Sequence, residues 1–189
     1  MFPFGGVSIM LLGAVVSGVA LATAALVATR RLGWRAAWAT AALLWSLTVI
    51  GLVTLIPAYG APGIVPAEGR LETCSWDIGG PAPQGFWIFA SGQRLLNTLL
   101  FVPSGVLLVV VATRWRHAWI TIPLGLVVLA AYSAGIEWTQ LVLARIDRAC
   151  DVTDLIENAT GAVIGVLLGL LLLAARRLMR PTRRRDLLR

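Results

Sequence analysis

An all-α, polytopic integral membrane helix bundle is the fold class this sequence predicts: five transmembrane helices, N-terminus outside and C-terminus cytoplasmic. Three observations lead there. Hydrophobic residues make up 58% of the 189 and charged residues only 13%, whereas a soluble domain carries roughly 25% charged residues. Mean hydropathy is +0.84. The apolar residues gather into five runs, Val7–Thr29, Ala36–Pro57, Leu95–Thr113, Ala118–Leu143 and Val152–Ala175, each long enough to cross a hydrocarbon core of ~30 Å at ~1.5 Å per residue. No run shows the alternation of a barrel strand, so helices must satisfy the backbone in lipid.

Taken in order, the first run has no Lys or Arg before it and exceeds a signal h-region, so it is expected to persist as a helix. The turn after it carries Arg30, Arg31 and Arg35. Residues 1–57 thus hold two helices, and 58–93 form one long connection. Residues 94–175 hold three more helices, with Arg114 and Arg116 in the turn after the third, and 176–189 are a basic tail. The tail carries Arg176, Arg177, Arg180, Arg183, Arg184, Arg185 and Arg189, against Asp186 alone. With five crossings all of these arginines fall on one side, which should be cytoplasmic. The other side keeps Arg70, Arg94, Arg145 and Arg148 against eight acids: Glu68, Glu72, Asp77, Glu137, Asp147, Asp151, Asp154 and Glu157. The net charge of +7 is therefore a topology signal and not a nucleic-acid footprint. Every basic residue is Arg, which reads as the coding bias of a GC-rich genome.

The connection 58–93 is rich in Pro and Gly, which excludes a long regular helix. Its aromatic stretch Phe86–Phe89 suits the headgroup zone, or a cap on the bundle mouth. Cys74 and Cys150 both fall outside on this topology, where an oxidising medium permits a bond between the loop and the chain entering the last helix. Two cysteines without geometry leave that pairing open. No zinc spacing exists, and His117, the sole histidine, reads as interfacial.

Polar groups inside membrane helices are costly and usually face a partner or a cavity. Here they share one depth. Arg94 and Asn97 lie one turn apart at the start of the third helix, before Phe101 and the helix-perturbing Pro103. Ser133, Glu137 and Gln140 form one stripe of the fourth helix, and Asp151, Asp154 and Asn158 form one stripe of the fifth, just after Arg145 and Arg148. All lie in the outer half of the bundle. Asp151 and Asp154 also complement the positive end of a helix dipole, so bracing by Arg–carboxylate pairs accounts for part of the pattern. Glu137, nearly two turns in from its helix end, needs Arg94 or Arg148 as counter-charge. Gly161, Gly165 and Gly169 recur every four residues, a face on which another helix can approach closely, within the chain or in a homo-oligomer.

These residues carry a resemblance. The stretch Asn97–Gly105, with Asn97, Phe101, Pro103 and Gly105, is similar to the first motif of the VanZ-like family. Glu137 and Gln140 match its Glu-x-x-Gln pair. Arg148, Asp151, Asp154, Asn158 and Gly161 match its closing Arg-x-x-Asp-x-x-Asp-x-x-x-Asn-x-x-Gly pattern. The similarity runs over roughly Arg94–Gly169; Ser104 and Thr153 depart from the residues more usual there. It implies a multi-pass protein of the bacterial cytoplasmic membrane, related to the protein that raises teicoplanin resistance, and it supplies no molecular mechanism.

The leading expectation is an outward-facing polar pocket that binds an envelope amphiphile: a lipid-linked cell-wall precursor, a glycolipid or a lipoglycopeptide. Arg94 and Arg148 would meet anionic groups, and Asn97, Gln140 and Asn158 would supply neutral hydrogen bonds, with Glu137, Asp151 and Asp154 completing the site. The partners are membrane lipids or such precursors, with no nucleic acid. An enzyme is the second class, with Glu137, Asp151 and Asp154 as oxygen ligands for a divalent cation or as a base. The chain shows no nucleophile constellation, no assigned metal site and no identified cofactor. A transporter would need acids at mid-membrane, where the helices are apolar; a structural subunit is the plainest alternative.

Overall fold

A computed structural model describes residues 5–56, 73–76, 92–143 and 150–179, with backbone alone at Gln93 and Leu143. Among the described residues five helices follow one another: α1 (Val7–Leu32), α2 (Trp34–Leu55), α3 (Gly92–Ala112), α4 (Ala118–Leu143) and α5 (Val152–Leu178). All five are long and apolar enough to cross a membrane. The elements expected from the sequence are therefore present; α1 and α5 run past the C-terminal ends of their apolar runs, α2 and α3 begin before theirs, and α4 matches its run. Arg30 and Arg31 fall inside the last turn of α1, and Arg176 and Arg177 inside that of α5. Cations there complement the negative end of the helix dipole, and their long stems keep the charge near the interface. Pro103 lies within an unbroken α3.

A single residue, Gly33, joins α1 to α2. Its φ of 78° lies in the left-handed region that glycine adopts without penalty, and its N–H donates to the Thr29 carbonyl at 2.9 Å. The hairpin closes with Trp45 Nε1 donating to the Ala14 carbonyl at 2.8 Å, the indole lying over Gly18. Among the described residues α1 packs on α2 and on no other helix.

The centre of the bundle is the α3–α5 pair. A Cβ on Gly161 would fall on the Thr98 carbonyl; one on Gly165 would strike Val102 and Gly105; one on Gly169 would lie 2.9 Å from Val109 Cβ. These contacts rise together along both helices, so α3 and α5 run parallel. Close approach needs small residues at this seam. The glycine face offered above for a homo-oligomer is covered by α3 of the same chain. Tyr132 of α4 donates to the Leu47 carbonyl at 2.7 Å, Gln140 donates to the Thr54 carbonyl at 3.0 Å, and the Ser46 and Ser104 hydroxyls meet at 2.9 Å. The second half of α2 is therefore docked on α3 and α4. The ends of α2 and α4 meet the starts of α3 and α5 at one end of the bundle, and the polar residues are there. Below them Ile50, Phe101, Leu129, Ile136 and Ala162 form the apolar core.

Candidate functional site

Entry into α5 organises the site. Asp151 is its N-cap: the carboxylate accepts from Thr153 N–H at 2.8 Å, satisfying one of the orphan donors at the helix start. Asp151 N–H in turn donates to Glu137 Oε2 at 3.0 Å. Glu137 thus ties the end of α4 to the start of α5. Just before the cap, Cys150 is disulfide-bonded to Cys74, with Cα atoms 4.7 Å apart. Ser75 pairs with Asp151 as a parallel bridge: Ser75 N–H donates to the Cys150 carbonyl at 2.9 Å, and Val152 N–H donates to the Ser75 carbonyl at 3.1 Å. The bond that the sequence leaves open is present, and it pins a piece of the long connection over the start of α5.

Inside this entrance, Asn97 of α3 donates from Nδ2 to Asp154 Oδ1 at 2.8 Å and to Glu157 Oε2 at 3.2 Å. Arg94, one turn earlier, sets Nε 3.5 Å from Glu157 Oε1. Both members of that pair are buried, Arg94 at 8% and Glu157 at 2% exposure. One turn deeper, Asn158 Nδ2 donates to Ser133 Oγ at 2.9 Å, joining α5 to α4. Buried acceptors remain over. Among the described residues Gln140 Oε1 and Thr98 Oγ1 have no hydrogen-bond partner, and Glu157 Oε1 has its ion pair to Arg94 but no hydrogen bond, whereas nearly all buried polar atoms in proteins find one.

Seven of the eight expected site residues, Arg94, Asn97, Glu137, Gln140, Asp151, Asp154 and Asn158, lie at this one end. Arg148 falls outside the described residues, as does the Phe86–Phe89 stretch. Gln140 differs from expectation in direction, since its amide reaches back to α2. Arg94, expected as a counter-charge for Glu137 or an anionic ligand, has its Nε edge on Glu157. Glu157 itself is the residue the sequence reading missed as a site member, and at 2% exposure it is more buried than Glu137 at 7%. The signal was available: Glu157 lies three residues after Asp154 and four before Gly161, on the face that must meet α3. Ser133 belongs with it. Among the described residues, no group of three or more His, Cys, Asp or Glu is placed to hold a metal ion.

Five membrane-length helices with a buried polar cluster at one end of an otherwise apolar bundle define a multi-pass membrane protein. The VanZ/LLP1 family profile matches residues 46–173, well over half of the chain, and the chain belongs to that family. The match begins at Ser46, whose hydroxyl meets Ser104, so it takes in the docked half of α2 and leaves α1 outside. No curated protein and no solved structure matches the chain.

Proposed function

We propose that the cluster at the starts of α3 and α5 faces the exterior and binds the headgroup of an envelope amphiphile through donors that the ligand supplies. The observation that carries this reading is a pair of buried acceptors that make no hydrogen bond among the described residues, Gln140 Oε1 and Thr98 Oγ1, together with Glu157 Oε1, which has a 3.5 Å ion pair to Arg94 and no hydrogen bond, beside the Arg94–Glu157–Asn97–Asp154 hub. A cluster that only braced the bundle is expected to close its own hydrogen bonds, because an unsatisfied buried polar atom costs about 1–3 kcal/mol. Half-buried Asn97, Asp151 and Asp154 form the accessible rim. Sugar hydroxyls, peptide amides and amines are the donors that suit such acceptors. A lipid-linked cell-wall precursor, a glycolipid and a lipoglycopeptide all combine those groups with an apolar chain that the bilayer-facing helices accommodate. Outward orientation is supported by the arginine asymmetry and by the disulfide at this end, since such bonds persist in oxidising compartments.

Asp154→Asn is the sharpest test, because the amide keeps an oxygen for Asn97 and removes the charge. Protein purified in mild detergent should carry a glycan- or peptide-bearing lipid, read by mass spectrometry, that Asp154→Asn loses while its thermal unfolding stays near wild type. In a teicoplanin-susceptible bacterial host, wild-type expression should raise the inhibitory concentration and the variant should not. Bulk phospholipid alone on the wild type, or the same lipid complement on the variant, contradicts the reading.

A further inference from the structure

The opposite end of the bundle holds a second feature. Arg35 at the start of α2, Arg114 just past α3, and Arg176 and Arg177 at the end of α5 line one cleft of about 400 Å³, together with Val110 and Leu173. Arg114 Nη1 comes within 3.8 Å of where a Cβ on Gly33 would lie, so its guanidinium rests against the α1–α2 turn. None of the four arginines has an ion-pair partner among the described residues, where the acids Glu137, Asp151, Asp154 and Glu157 all sit at the other end. Four like charges around one concavity repel one another and raise the local concentration of anions. The cleft also continues downward. Val110, Leu173 and Arg176 are shared with an apolar groove between α3 and α5 whose floor includes Val106, Val109 and Leu172.

We infer that this cleft is a binding site for an anionic phospholipid, its phosphodiester held by the guanidinium forks and one acyl chain laid in the α3–α5 groove. Arg matches phosphate geometry through paired N–H donors, and basic pockets between transmembrane helices are a recurring way to hold anionic headgroups. The groove separates this ligand from an acidic peptide: it descends along the membrane-spanning part of α3 and α5, where only a lipid chain is at hand. The inference is independent of the proposed outward site, resting on different residues at the other end.

The test compares two double variants of equal charge, Arg114→Gln with Arg176→Gln inside the cleft and Arg30→Gln with Arg31→Gln outside it. Protein is reconstituted in phosphatidylcholine discs containing phosphatidylglycerol, and the lipid retained after extraction is counted by native mass spectrometry. Wild type should retain phosphatidylglycerol over phosphatidylcholine, and the cleft pair should lower that affinity about 25-fold, at about fivefold per guanidinium. The outside pair should leave it near wild type. Val110→Trp, which fills the groove and leaves every charge in place, should also lose the lipid, and added inorganic phosphate should not displace it. Equal losses from both pairs would mean diffuse surface attraction and would overturn the site. Displacement by phosphate alone, or full retention by Val110→Trp, would remove the lipid chain from the proposal.

Discussion

Replacing Gly165 by Ala tests the α3–α5 seam on which the site depends. The added methyl would lie on the Val102 carbonyl and 2.9 Å from Gly105 Cα. Both neighbours are backbone, so no rotamer change relieves the clash and the helices must part. A separation of about 1 Å forfeits between a quarter and a half of the dispersion at each affected contact. Overpacking of this kind costs about 1–3 kcal/mol, and the rigid backbone on both sides places this site at the upper end. Alanine returns up to about 1 kcal/mol of helix propensity, leaving a net loss of about 2 kcal/mol. At roughly 2–4 °C per kcal/mol for a chain of this size, the midpoint should fall by roughly 4–8 °C. The assay is thermal unfolding in mild detergent, with Gly135→Ala as the control because a Cβ there meets nothing within 4 Å. If Gly165→Ala is as stable as Gly135→Ala, the two helices do not meet on this face. The contacts of Asn97 with Asp154 and Glu157 would then fall with that packing.

Three further outcomes are expected. Arg94→Gln or Glu157→Gln alone should lower stability by about 3–5 kcal/mol, since each leaves a buried charge uncompensated; the double variant should recover much of it, and purely additive losses in denaturant titrations would contradict the pairing. Unreduced protein should resist thiol alkylation, and Cys74→Ser with Cys150→Ser should lose about 2–4 kcal/mol; rapid labelling of both thiols in unreduced intact cells would exclude the bond. A reporter fused after Arg189 should read cytoplasm and one inserted near Gly80 exterior, and an exterior signal from the C-terminal fusion would reverse the orientation proposed for both sites.

The helices were legible because hydropathy over about 20 residues is a strong signal. Ala118–Leu143 is legible to its ends; the extensions of the other four helices are turns that hold Arg or Gly, and α2 and α3 stop short of Pro57 and Thr113. The site was legible as a depth, because Arg94, Asn97, Glu137 and Asp154 follow helical spacing. It was not legible as a set of partners. Which side of α5 meets α3 is dictated by Gly161, Gly165 and Gly169, and reading that stripe apart from the acid stripe hid Glu157, which belongs to both. The docking of α2 was invisible for a different reason: Tyr132 and Gln140 donate to the main-chain carbonyls of Leu47 and Thr54, groups that every residue carries and no sequence pattern marks.

The bond between Cys74 and Cys150 spans a sequence separation of 76, and the intervening chain contains the whole of α3 and α4. Those two helices therefore belong to a covalent ring, with α5 leaving it as a tail one residue after the closure. Cleavage in the short turn at Arg114–His117 would open the ring without releasing a fragment, and the halves would come apart only on reduction. During synthesis the ring cannot close until Cys150 has emerged. The entrance to the polar cluster is thus among the last parts of the chain to be fastened, after every helix that lines it except α5 has been made.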